Sequence, residues 1–201
     1  MFTLLKNCDI ILLYDKEELH MFFKKVNTDL KLELYTKLIR QNHPDFGDGS
    51  INERALLNAP RRFNIEYLVE EMFELNCDGQ YQFIDGAHLD FTDESDSKTG
   101  TLHANGQSSI AEITNCKDKY GTLKKGAIRA VVLNPILKKL HFFFIPKQAV
   151  YDLLHTKSGT MKKVNSIRLR YSKNKNQFTT LKKYGIIEFE TFKELAMEPS
   201  R

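Results

Sequence analysis

The stretch Ile84-Asp85-Gly86-Ala87-His88-Leu89-Asp90-Phe91-Thr92-Asp93-Glu94-Ser95-Asp96-Ser97-Lys98-Thr99 holds the residue types best suited to chemistry in this chain. Five acids fall within residues 85–96, and they lead straight into Asp96-Ser97-Lys98. On a strand, Asp96 and Lys98 stand two apart and project to the same face. Glu112 sits on a following alternating segment, in a side-chain phase that could bring it beside them. Carboxylates clustered in this way can hold Mg²⁺, a hard cation that takes oxygen ligands and retains several waters. A neighbouring lysine can lower the pKa of an attacking water or stabilise charge developing on phosphorus. Those are the components of metal-assisted phosphodiester hydrolysis.

Other chemistries find less support. The six histidines include no His-x-x-x-His pair, and there is no Gly-rich phosphate loop and no Gly-x-Ser-x-Gly. His43-Pro44-Asp45 reads as a turn. The acidic stretch lacks the glycine and glutamate positions of an EF-hand loop. Three scattered cysteines, Cys8, Cys77 and Cys116, read as free thiols in a reducing compartment.

Several elements must position the acidic stretch. Residues 15–41 read as helical, with Asp15 as a cap and a second helix opening at Asn27 or Thr28. Residues 43–50 are a turn-rich break, and a short helix starts at Ser50 and stops at Pro60. Asn64 then caps the clearest helix, whose apolar face is Ile65, Leu68, Val69, Met72 and Phe73. After about residue 79 the period becomes alternating, with strands expected at 80–85, 97–104, 108–114, 127–133 and 140–145. Asn105-Gly106 is a strong hairpin signal, so 97–104 and 108–114 are expected to pair antiparallel. Residues 149–154 form a short helix. Strands at 166–171 and 185–190 follow, joined by a lysine-rich loop, and a final helix spans 191–197. The expectation is an α+β fold, a central mixed, largely antiparallel sheet flanked by helices. With 201 residues the chain suits one domain. Within it, residues 1–63 are helical, residues 64–155 make the core, and residues 156–201 hold basic strands and the final helix.

Charge divides the chain sharply. Residues 117–183 carry seventeen Lys or Arg against two acids, a local +15, while the remainder carries −11. Such segregation points to a polyanionic partner. Within the basic segment Arg168 and Arg170 alternate on one face and suit bidentate phosphate or guanine contacts. The loop Ser172-Lys173-Asn174-Lys175-Asn176-Gln177 adds lysines and carboxamides able to read adenine edges. Lys162, Lys163, Lys182 and Lys183 supply further phosphate contacts. Tyr171 and Phe178 read as packing residues. The apolar N-terminus lacks a basic leader and a cleavage site and is too short to cross a membrane, so a cytoplasmic protein is expected.

Asp96-Ser97-Lys98 resembles the acid-x-lysine motif of the PD-(D/E)XK nuclease superfamily, to which many type II restriction endonucleases belong. In that resemblance Asp90 or Asp85 stands as the upstream aspartate and Glu70 or Glu71 as the helical glutamate. A second alignment makes Asp96 the first aspartate and Glu112-Ile113-Thr114 the later motif. The resemblance implies a restriction-endonuclease-like core over residues 64–155. It implies a Mg²⁺-dependent endonuclease acting on double-stranded DNA. Asp90, Asp96 and Glu70 would hold the metal, Lys98 would assist the water, and Glu112 would complete the catalytic set. A homodimer is the expectation for a palindromic target.

Overall fold

Pro60 precedes a run of strong helix formers, and the chain turns helical directly after it, over Arg61–Asn76 (α2). Asn64 therefore lies inside this helix and does not cap it. The apolar stripe behaves as its spacing requires: Ile65, Leu68, Val69, Met72 and Phe73 are all buried, while Tyr67 and Leu75 face outward. The computed structural model describes residues 16–47, 61–84, 89–103, 106–112, 126–155, 166–179 and 181–200. The expected short helix between Ser50 and Pro60 and the apolar N-terminus lie outside the described residues.

Residues 16–42 form one helix, Lys16–Asn42 (α1), and not two. No glycine or proline interrupts it, so Asn27 and Thr28 are carried through. Among the described residues seven strands follow: Asp96–Thr101 (β1), Gln107–Glu112 (β2), Ile128–Asn134 (β3), Lys139–Ile145 (β4), Ser166–Ser172 (β5), Gln177–Thr179 (β6) and Ile187–Phe189 (β7). Two more helices, Lys147–His155 (α3) and Phe192–Met197 (α4), follow β4 and β7. Thr191 and Glu194 close α4 with a reciprocal capping box. The expected strand at 80–85 is reduced to a single bridge between Phe83 and Phe91.

A four-stranded mixed sheet runs β1-β3-β4-β7, and a three-stranded antiparallel sheet runs β2-β5-β6. The fold is α+β with a central mixed sheet, as expected. The hairpin expected across Asn105-Gly106 does not form as a ladder. β1 pairs parallel with β3, and β2 pairs antiparallel with β5. Every residue of β3 is buried, so this strand must be central and take a partner on each side, β1 and β4. The turn itself is present: Gly106 has φ +75° and its N–H bonds to the His103 carbonyl at 2.9 Å. The Gly106 carbonyl then accepts the Tyr171 N–H at 2.8 Å, and a Cβ there would meet the Tyr171 carbonyl oxygen at 2.9 Å. The turn thus hands β2 to β5. The lysine-rich loop also holds a strand of its own, β6, and the late strands β5 and β7 belong to different sheets.

The central sheet separates two apolar clusters. Val131, Leu133 and Phe144 face α1, α2 and α4, with Phe73 stacked on Phe192 at 4.5 Å between ring centroids. Ile128, Ala130, Val132, Phe143 and Ile145 face α3, β5 and β6. The triple phenylalanine of β4 supplies both sides, as its composition predicts. The buried Tyr35 hydroxyl donates to the Val131 carbonyl at 2.9 Å, tying α1 to the sheet. Burial, with Glu66 nearby, pushes the Tyr35 hydroxyl well above its ordinary range. No helix among the described residues is long and apolar enough to cross a membrane.

Phe73 touches both Phe91 and Phe192, so Phe73→Ala should lower unfolding free energy by about 3–5 kcal/mol in urea titration. Leu75→Ala, on the exposed side of the same helix, should change it by about 0.5 kcal/mol or less. Equal effects would contradict the assignment of the buried face.

Candidate functional site

The acidic stretch folds back on itself before β1 begins. The Asp90 and Phe91 N–H groups both donate to the Ser95 carbonyl at 3.1 Å, and Ile84 N–H donates to the Asp90 carbonyl at 2.9 Å. The Asp93 carboxylate accepts from the Ser95 N–H at 3.1 Å and from the Ser95 hydroxyl at 2.5 Å. This side-chain-closed turn is a role short polar residues fill well. Glu94 sits at its corner with φ 64°, and a Cβ on Gly126 would overlap its carbonyl. Only glycine lets β3 approach so closely.

The turn is shaped to meet Arg129. This arginine is fully buried in β3, whose other polar residue is the terminal Asn134. Its Nη2 donates to Asp93 Oδ2 at 2.9 Å and to the Glu198 carbonyl at 2.6 Å, and its Nη1 donates to the Ser95 hydroxyl. The guanidinium carbon lies 4.1 Å from the centroid of the Tyr81 ring. The Ser200 hydroxyl donates to the Asp93 carbonyl, closing the tail over the turn. Burial alone would raise the Asp93 carboxyl, but the Ser95 hydroxyl and the Arg129 guanidinium outweigh it and hold the group below its ordinary value. Asp93 and Arg129 are therefore structural, and Arg129 does not belong to the exposed basic surface. Sequence reasoning missed this pair; the available signal was a single arginine inside a largely apolar strand.

Of the expected site residues, Asp90 and Lys98 come together. Asp90 Oδ2 accepts the Ser97 N–H at 2.7 Å and lies 3.3 Å from Lys98 Nζ. Lys98 also donates to the Ser97 carbonyl at 2.7 Å. Asp96 begins β1 and is fully buried. The β1–β3 register sets Asp96 beside Ile128 and Lys98 beside Ala130, so both occupy the face of the second cluster. Glu70 does not join them: α2 packs on the opposite face, where Thr99 donates to Glu66 at 3.1 Å. Glu112 ends β2 opposite Ser166, in the other sheet. Asp85 and Thr114 lie outside the described residues. Glu71 meets buried His43 at 3.2 Å, in the turn after α1.

Among the described residues, Asp90, Asp96 and Glu70 do not come together as a Mg²⁺ site. The ion needs near-octahedral oxygen ligation and room for its waters. Asp96 has no solvent access, the Lys98 ammonium already stands against Asp90, and Glu70 is across the sheet. Among the described residues no three His, Cys, Asp or Glu side chains gather closely enough to hold a metal ion.

The basic residues present a different picture. Tyr171 and Phe178 are buried and meet edge to face at 5.3 Å, so both are packing residues as expected. Arg170, Lys173, Asn174, Lys175, Asn176 and Gln177 are exposed on the hairpin that β5 and β6 form. A short 3-10 turn, Lys173–Lys175, joins the two strands, with Asn176 left-handed at φ 47°. Arg168 lies in β5 opposite Ser109. Lys182 and Lys183 lie in the 3-10 turn Lys182–Tyr184, where Lys183 is exposed. Lys162 and Lys163 lie outside the described residues. Comparison with family models, curated proteins and solved structures found no match to this chain.

The lowered Asp93 carboxyl gives a signed pH dependence. Its contribution to stability is fully present above the unfolded value, about pH 4, and is lost as pH falls through the lower folded value. The stability gap between the wild type and Asp93→Asn should therefore be constant above about pH 4 and narrow below it, read by urea unfolding at a series of pH values. A gap that holds unchanged into strong acid would refute the pairing. Arg129→Met, which leaves Asp93 without its cation, should cost about 3–5 kcal/mol.

Proposed function

We propose that the protein binds nucleic acid through the exposed side of the β5–β6 hairpin. The observation that carries this reading is a set of four exposed cations, Arg170, Lys173, Lys175 and Lys183. Among the described residues no carboxylate pairs with any of them. By contrast Arg129 is neutralised by Asp93 at 2.9 Å, and Lys147 meets Glu94 at 3.2 Å. Phosphates would supply the missing counter-charge, and release of their condensed ions makes such binding favourable and salt-dependent.

A second reading, a Mg²⁺-dependent DNA endonuclease, is favoured by one observation: Lys98 Nζ lies 3.3 Å from Asp90, with Asp96 on the same strand. Incubation with plasmid DNA, in Mg²⁺ or in EDTA, distinguishes the two on one gel. Nucleic-acid binding alone retards the plasmid in either buffer. Discrete fragments in Mg²⁺, abolished by Asp96→Ala or Lys98→Ala, would establish cleavage instead.

For the binding reading, Lys173→Ala with Lys175→Ala should weaken affinity for a labelled DNA about tenfold or more at low salt. The same change should reduce the slope of log affinity against log salt by about 2. Fluorescence anisotropy between low and moderate salt measures both. An unchanged slope would overturn the assignment of these lysines to phosphate contacts.

A further inference from the structure

The nucleic acid this hairpin suits can be narrowed from its geometry. β2 meets β5 with Gln107 opposite Arg170. Beyond that point the β2 side contributes only the Gly106 carbonyl to the Tyr171 N–H, and the pairs Tyr171–Phe178 and Ser172–Gln177 lead into the turn. The tip of the second sheet is therefore a two-stranded ribbon. Its two faces differ completely. Tyr171 and Phe178 point inward, and Phe178 is held edge-to-face by His141 and Phe143, each at 5.0 Å. Arg170, Ser172, Gln177 and Thr179 occupy the alternate positions and form the outer face. Every side chain on that outer face carries a hydrogen-bonding group.

We infer that this ribbon reads double-stranded DNA from the major groove; the inference rests on the nucleic-acid reading above. The two aromatic residues of the ribbon, Tyr171 and Phe178, are only 6% and 5% exposed. Neither offers the open ring on which single-stranded bases stack, which is the common means of holding an unpaired strand. A two-stranded ribbon fits the B-form major groove, about 12 Å wide, whereas the A-form groove of duplex RNA is too narrow to admit it. At the tip, Lys173 and Lys175 flank Asn174, followed by Asn176 and Gln177, all exposed. Lysines on both sides of Asn174, with Asn176 and Gln177 next in line, match what a groove presents: phosphates at the walls and base edges at the floor. Asn and Gln make paired hydrogen bonds to adenine N6 and N7, and Arg170 suits guanine O6 and N7. Asn176 holds its left-handed backbone, φ 47°, so Asn174 and Gln177 are the positions to alter.

The test uses the full chain and labelled oligonucleotides of one sequence, as duplex DNA, single-stranded DNA and duplex RNA, followed by randomised-duplex selection. The expected result is a tenfold or larger preference for duplex DNA, unaffected by netropsin in the minor groove. Asn174→Ala with Gln177→Ala should flatten the sequence preference by weakening the selected duplex about tenfold or more, while unselected duplexes stay within about threefold. Lys173→Ala with Lys175→Ala should weaken all duplexes alike. Equal or tighter binding of the single strand, or displacement by netropsin, would overturn the groove assignment while leaving nucleic-acid binding intact. Absence of binding to all three would overturn both.

Discussion

A single buried guanidinium holds this fold together. Arg129 stands second in a strand with no solvent on either side, where an uncompensated charge would be intolerable. Its partners come from remote regions of the chain: Asp93 and Ser95 from the turn before β1, and the Glu198 carbonyl from the tail after α4. The acidic turn, the glycine that lets it approach, and the closed tail all follow from neutralising that one group. Burial pushes the Tyr81 hydroxyl up, opposed by Arg129 and reinforced by Cys77 and Asp93. Tyr81 in turn donates to the Ala196 carbonyl at 2.8 Å, joining α4 to the same assembly.

The second constraint is that β3 is buried on both sides. A strand of that kind must sit in the centre of a sheet with cover on each face. The helices α1, α2 and α4 cover one face; α3 and the small sheet cover the other. His141 reinforces the far edge, bonding Asn134 at 3.1 Å and Glu188 at 2.5 Å, and so fastens short β7 to β4. Placing the small sheet over the second face has a direct effect on the acidic edge. Asp96 and Lys98 share a face, as their spacing requires, but it is a face already covered, and Asp96 is sealed within it.

How much of this is legible in the sequence depends on the range of the interaction. Local periodicity places the buried stripe of α2, the strands β3, β4 and β5, and the helix after Thr191. Turn chemistry places a turn at Gly106 but not the strands it joins, because the partner of β1 is chosen by β3, whose apolar run outcompetes a neighbour close in sequence. The continuity of α1 is hidden because Asn27 and Thr28 favour caps only where a helix is free to end. At the acidic stretch, composition shows a cluster and conceals that its members serve different ends: Asp93 pairs with Arg129, Asp90 with Lys98, and Asp96 is buried. No local pattern reveals that Glu70 lies across the sheet. In the basic segment alternation predicts Tyr171 inward and Arg170 outward, but not β6, which is too short to stand out from the lysine-rich loop around it.

The closed tail also bears on the order in which the molecule can be made. A ribosome delivers residue 93 and residue 129 well before residue 198. Until the last of these emerges, the guanidinium has an incomplete shell, and Phe73 lacks the ring of Phe192 against it. The helices and the centre of the sheet can collapse early, yet the core on that side cannot close before residues 192–198 arrive. In that sense residues 192–198 seal the fold, and contacts spanning more than a hundred residues, such as that from Gln80 to Met197, must wait for them.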